Sequence, residues 1–269
     1  MGIKINKIID FFVLPFLVVS IFTVLSLYVV YVAPNDKKNI NVGLATASTA
    51  QISSNEQISA PIAEAVNTQP QILSSLNLDV PFTTQAPSGE WYTYPFMHTC
   101  EEASVLMAHY YLDDTKNISA GMVKADLISM VDFENKKYGF SNDTDAQQTA
   151  QLIRDYYEKY EVRVIYNPSV DDIKTELSLG NPVLVPTAGR LLENPHYRSP
   201  GPLYHMLVIK GYNSKEFITN DPGTIYGANY KYSYDVFINA MRDFDLNNSA
   251  NLNGAIIVVS KKTAEVAKK

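Results

Sequence analysis

Cys100 is the only cysteine in a chain of 269 residues. It opens the stretch CEEASVLMAHYYL. Thr99 followed by Glu102 has the spacing of a capping box, so Cys100 is expected as the first helical residue. Ala103, Leu106, Met107 and Tyr110 then share one face at helical spacing, the face expected to be buried. A thiol at a helix N-terminus lies at the positive end of the macrodipole, which favours the nucleophilic thiolate. Glu101 and Glu102 oppose that charge while favouring the helix start. A lone cysteine is also commonly buried as a small hydrophobe. To be a nucleophile it needs a histidine base and a third group to orient the base.

The chain has four histidines. His98 lies two residues before Cys100 on a loop, and His109 lies over two turns along the helix, too far to act. His196 sits in the loop sequence LLENPHYRSPG. His205 opens YHMLVIKGYNSKEFITND, which reads as a β-hairpin breaking at YNSKE. With the turn centred on Asn213, His205 faces Asp221; a one-residue slip brings Asn220 to the diagonal. Directly opposed residues of an antiparallel pair can touch. Asp221 precedes Pro222 and Gly223, so by itself it also reads as a turn residue. A His and an Asp face to face, together with a helix-start Cys, make a nucleophile, base and orienting group.

The elements that must position these residues follow from pattern. LNLDVPFTTQ reads as a short strand ending in a loop, and residues 86–98 as a loop containing Pro87, Gly89 and Pro95. DAQQTAQLIRDYYEKY reads as a helix with Thr144 or Asp143 as its N-cap. VRVIYN is a strand. SVDDIKTELSLG is a helix with Ser169 as N-cap, Asp171 and Asp172 in the first turn and Gly180 at the C-cap. PVLVPT is a strand, SYDVFINAMRD a helix and GAIIVVS a closing strand. Helices early and strands late indicate an α+β domain with an antiparallel sheet.

LDVPFTTQAP, CEEASVLM, GNPVLVPT, YHMLVIKGY and NDPG occur in the order found in papain-like cysteine peptidases. The chain most resembles the bacteriocin-processing, double-glycine-leader peptidases and the wider peptidase C-thirty-nine-like group, over about residues 77 to 260. The resemblance implies a papain-like fold in which a helix carrying the Cys packs on an antiparallel sheet carrying the His and the Asp. It implies Cys100 as nucleophile, His205 as general base and acid, and Asp221 as the group that fixes the imidazole tautomer. Gln85 matches the family's oxyanion-hole glutamine, with the Cys100 backbone N–H as second donor. Gln85 lies further before the cysteine than the papain-like pattern places it, so APSGEWYTYPFMHT must loop out. Many relatives have Gly after the cysteine, where this chain has Glu101. That residue reads as a solvated helix-start acid, or alternatively as a selector of a cationic or amine-bearing substrate group. Trp91, Tyr92 and Tyr94 are candidates either to line the cleft or to anchor the loop. The chemistry implied requires no metal or organic cofactor. The same triad would serve a transamidase, and the same fold a peptide-binding module of weak or no activity.

The rest of the chain bounds the setting. The net charge is −6 and no basic stripe occurs, which argues against a nucleic-acid partner. One cysteine permits no internal disulfide and no CxxC metal site. Residues 11–33 carry no charge and are long enough to span a bilayer, so a transmembrane anchor is expected after a short flank, residues 1–10. A long cleaved signal peptide is the alternative. Lys4 and Lys7 before the span balance Lys37 and Lys38 after it; the short flank favours an extracytoplasmic domain. Residues 34–76 are rich in Asn, Ser, Ala, Gln and Thr and read as a flexible tether. The catalytic domain is expected over 77–262 and a tail over 263–269. No Walker A pattern occurs, so any transporter partner would be separately encoded. A peptide or protein at the cell surface is the expected substrate.

Overall fold

The computed structural model describes residues 72–245 and 253–262. The span expected at 11–33, most of the expected tether and the C-terminal tail lie outside these residues. Among the described residues no helix is long and apolar enough to cross a membrane.

Seven strands form one sheet in which every pair is antiparallel. They are β1 (Leu76–Asn77), β2 (Tyr160–Tyr166), β3 (Val183–Thr187), β4 (His205–Tyr212), β5 (Glu216–Asn220), β6 (Tyr230–Ser233) and β7 (Ala255–Lys261). The order is β2-β7-β3-β4-β5-β6, and β1 pairs with the far end of β4. Helices α1 (Cys100–Leu112), α2 (Ala120–Lys137) and α3 (Ala146–Tyr156) precede β2; α4 (Val170–Ser178) and α5 (Tyr234–Ala240) follow it.

β3, β4 and β7 are near-continuous apolar runs because the sheet is covered on both faces. Alternate residues divide between two cores. Leu184, Met206, Val208 and Ile257 pack with α1, α2 and α3. Val183, Leu207, Ile209, Ile256 and Val258 pack with Ile173 and Leu177 of α4 and Phe237 of α5. The α+β antiparallel architecture expected from the element order is therefore present, with α1 laid directly on the centre of the sheet.

The start of α1 differs from the expected capping box. Thr99 makes no side-chain cap bond; its hydroxyl donates to the Gln85 carbonyl at 3.0 Å. Glu102 turns into the core instead of back to the cap. Ala103, Leu106, Met107 and Tyr110 are buried as expected, but so is most of the helix circumference. The N-cap of α3 is Asp145, not Thr144 or Asp143: it forms a reciprocal box with Gln148. Ser169 caps α4 as expected through a reciprocal box with Asp172, and Gly180 follows the helix at φ +82°, where glycine is unstrained. The pattern reading left 113–143 without an element, yet α2 fills eighteen of these residues.

The hairpin register also differs. Val208 pairs with Asn220 and Tyr212 with Phe217, with an irregularity between Ile209 and Gly211. Asn213 to Glu216 form the turn, closed by the Asn213 N–H to the Glu216 carbonyl at 3.0 Å. The turn is centred between Ser214 and Lys215 instead of on Asn213, so His205 falls level with Gly223 and Asp221 lies on the diagonal. Diagonal neighbours remain within reach of long side chains.

Candidate active site

Cys100, Gln85 and His205 line one cleft of about 670 Å³. Each arrives on a different element. Cys100 is the first residue of α1, His205 the first of β4, and Gln85 lies in the segment that leads from β1 toward α1.

The His205–Asp221 pair is the most completely built part of the site. His205 Nε2 lies 2.8 Å from Asp221 Oδ1, with both residues buried. Asp221 Oδ1 also accepts the Gly223 N–H at 3.0 Å. Asp221 Oδ2 accepts from the hydroxyls of Tyr197 and Tyr232, each at 2.6 Å, and from Asn194 Nδ2 at 3.2 Å. Burial alone would raise the Asp221 pKa, but the His205 charge and the bonds from His205, Tyr197 and Tyr232 outweigh it and hold the carboxyl below its ordinary value. The pair fixes the imidazole with Nε2 toward the carboxylate. Gly223 packs so closely that an added Cβ would lie 2.8 Å from His205 Cε1. Tyr197 stands edge-on to the imidazole, with ring centroids 5.5 Å apart.

Gln85 is held beside the start of α1 despite the long intervening loop, and lines the same cleft as Cys100. Its Nε2 donates to the Phe96 carbonyl at 3.0 Å, its carbonyl accepts from Thr99, and its N–H donates to the Pro222 carbonyl at 3.0 Å. One amide hydrogen remains available, since the side chain carries two.

The cysteine differs from the simple helix-dipole expectation. Its thiol donates to Glu101 Oε2 at 2.9 Å. Burial, then the charge and hydrogen bond of Glu101, push the thiol well above its ordinary pKa, while the Met206 backbone N–H acts in the opposite sense. Glu101 is not the solvated acid expected: it is 2% exposed. Its Oε1 accepts the Thr144 N–H at 2.8 Å. Burial and the nearby charge of Asp143 push its carboxyl up to about 8. A side chain so enclosed is also poorly placed to meet a cationic substrate group directly.

The aromatic candidates divide. Trp91 and Tyr92 line the cleft, and Arg198 stacks 5.1 Å from the Tyr92 ring centroid. Tyr94 is a loop anchor instead, its hydroxyl 3.0 Å from Ser141 Oγ. His109 stacks on Tyr157 and meets the Tyr160 hydroxyl at 2.7 Å, away from the cleft. His196 lines the cleft beside Tyr226, and His98 lies 3.6 Å from Asp143. Tyr197, Tyr232, Asn194 and Gly223 were not anticipated from the sequence. The clearest available signal was that a buried Asp must collect donors. Among the described residues no group of three or more His, Cys, Asp or Glu is gathered to hold a metal ion.

A Cys-bearing helix on an antiparallel sheet, with a His held by an Asp lining the same cleft, fits the papain-like peptidase class. The chain belongs to the Peptidase C39 like family, whose model matches residues 77–248. Among solved structures it is similar to a candidate C39-like peptidase from Bacillus anthracis, at 16% identity and a TM-score of 0.46, covering 70% of this chain and 99% of that one. No curated protein matches it.

Proposed function

We propose that the protein is a cysteine peptidase working through Cys100, His205 and Asp221. The observation that carries this reading is the convergence on one cleft of a lone thiol and an imidazole held 2.8 Å from a buried carboxylate. Cys100 Sγ attacks the scissile carbonyl and its proton passes to His205. Asp221 stabilises the imidazolium and holds its orientation. The tetrahedral oxyanion is met by the remaining Gln85 amide hydrogen and the Cys100 backbone N–H. His205 returns the proton to the leaving amine, and water releases the acyl-enzyme. Residues 11–33 and 34–76 support a membrane anchor and a tether holding the catalytic domain on the extracytoplasmic side. The substrate would then be a peptide or protein at the cell surface.

The test is cleavage of a peptide library, read by mass spectrometry. The wild-type chain is expected to release defined products, and Cys100→Ala to lower kcat/KM by a thousandfold or more, roughly the loss seen when a catalytic nucleophile is removed. The same products at the same rate from Cys100→Ala would overturn the reading. One observation favours a second reading, a peptide-binding module: the thiol's proton is directed to Glu101. That reading predicts library peptides bound and left intact.

A further inference from the structure

The residue after the cysteine carries a carboxyl that the mechanism above does not use. Glu101 is clamped at both oxygens, Oε1 by the Thr144 N–H at 2.8 Å and Oε2 against Cys100 Sγ at 2.9 Å. Thr144 is held in turn, because the Tyr204 hydroxyl donates to its carbonyl at 2.7 Å. Tyr204 immediately precedes His205, so the residue beside the base and the residue beside the nucleophile are tied to one loop. The carboxyl therefore cannot swing away from the sulfur without breaking buried hydrogen bonds.

An oxygen 2.9 Å from sulfur has opposite effects in its two protonation states. As the acid it is a donor, and a donor stabilises a thiolate. As the carboxylate it is an acceptor, and it retains the thiol proton by hydrogen bond and by charge. We propose that Glu101 is a positioning residue that gates the nucleophile: the protonated carboxyl donates to the Cys100 thiolate and supports the thiolate–imidazolium pair, whereas the ionised carboxyl holds Cys100 as a thiol turned from His205. This rests on the reading of Cys100 and His205 given above. The proton balance is simple. Activation moves the Cys100 proton to His205 while Glu101 keeps its own; inactivation returns the His205 proton to Cys100 and sends the Glu101 proton to solvent.

The surroundings set where the gate operates. Asp143 faces Glu101 from the loop and raises its carboxyl, after burial, to about 8. Glu102 on the same helix is itself raised, by burial and by the charge of Glu134 of α2. Tyr204 lies close to both Glu101 and Cys100, with Asp243 among its other neighbours, and His98 sits 3.6 Å from Asp143. The sign follows directly: the acid form predominates below about pH 8 and the closed form above it. An ordinary thiol instead becomes more reactive as pH rises.

The experiment is the rate of iodoacetamide alkylation of the full chain against pH, with circular dichroism on every variant. Cys100 is the only thiol, so the signal comes from one site. For the wild type the rate is expected to fall by about tenfold between pH 7 and pH 9, as one group with a pKa near 8 titrates. Glu101→Gln, whose amide donates at every pH, should abolish the falling limb. Asp143→Asn should move the limb to lower pH by removing the charge that raises Glu101, and it decides the matter if Glu101→Gln does not fold. A rate that rises steadily with pH in the wild type, or a limb unmoved in both variants, overturns the gate. His205→Ala separates the two readings. If it slows alkylation at pH 7 while Glu101→Gln changes nothing, the gate fails and the Cys–His pair stands. If it has no effect, the pair fails as well.

Discussion

At the scale of single residues, the unusual investment is in Asp221. Four side chains and one backbone amide donate to it. Such a carboxylate can be fully buried and stay ionised, which the imidazolium of the proposed mechanism requires. Asp221→Asn is expected to lower kcat by about 10³- to 10⁴-fold while the fold is retained, because an amide cannot stabilise the imidazolium. A fall in melting temperature without a loss of rate would reduce Asp221 to a structural turn residue. Gly223→Ala tests the same geometry from the other side. A methyl 2.8 Å from His205 Cε1 must displace the ring, so kcat should fall while KM changes little. Unchanged kcat would show that the imidazole tolerates the shift. Cys100, His205, Asp221 and Gln85 were all legible as candidates, because residue type and sequence order carry them. The strand register that brings His205 to Asp221 was not, since a four-residue turn and a strand irregularity move it. Glu101 was misread because acids commonly open helices exposed to solvent, and nothing local reveals that loop 141–145 folds over this one.

Among the elements, α1 combines the proposed nucleophile at its start with burial on nearly every side. Glu102 therefore cannot reach water and lies close to Glu134 of α2, whose charge opposes its ionisation. Each keeps one buried oxygen without a partner. Burial raises Glu134 from 4.5 to about 7 and Glu101 to about 8. For carboxyls raised in the folded state, the unfolded chain loses its protons first as pH increases. Stability is thus full below about pH 4.5 and declines until the folded values are passed. The melting temperature should fall as pH rises from 5 to 8, by an amount equivalent to a few kcal/mol, and Glu134→Gln should flatten the decline. A melting temperature that rises over this range in the wild type would show the pair to be ionised. The same burial explains why some elements were legible and one was not. β3, β4 and β7 announce themselves as apolar runs. In α2, Val123, Leu127, Met130, Val131 and Glu134 form the buried face, and a buried Glu breaks the stripe that would have revealed it.

Across the whole molecule, the segment from Leu76 to Gln85 connects the proposed tether to the cleft. β1 pairs with the end of β4, and the Leu78 N–H donates to the Lys210 carbonyl at 2.8 Å. Asn220 Nδ2 then donates to the Val80 carbonyl at 2.9 Å, and the Gln85 N–H reaches Pro222 beside Asp221. The segment is thus fastened at three successive points, the last in the candidate active site. β1 approaches Gly211 so closely that an added Cβ would lie 2.3 Å from the Leu76 carbonyl oxygen. Gly211→Ala must push β1 off the sheet. Because Asn220 and Pro222 hold the segment beyond that point, only the first fastening should yield. Amide exchange at Leu78 is expected to accelerate by about tenfold or more, which corresponds to about 1.4 kcal/mol of lost local stability. Exchange at Gln85 and the alkylation rate of Cys100 should stay unchanged. Faster exchange at Gln85 together with slowed alkylation would instead mean that the segment loosens as one cooperative unit, so that tension on the proposed tether reaches the proposed oxyanion site.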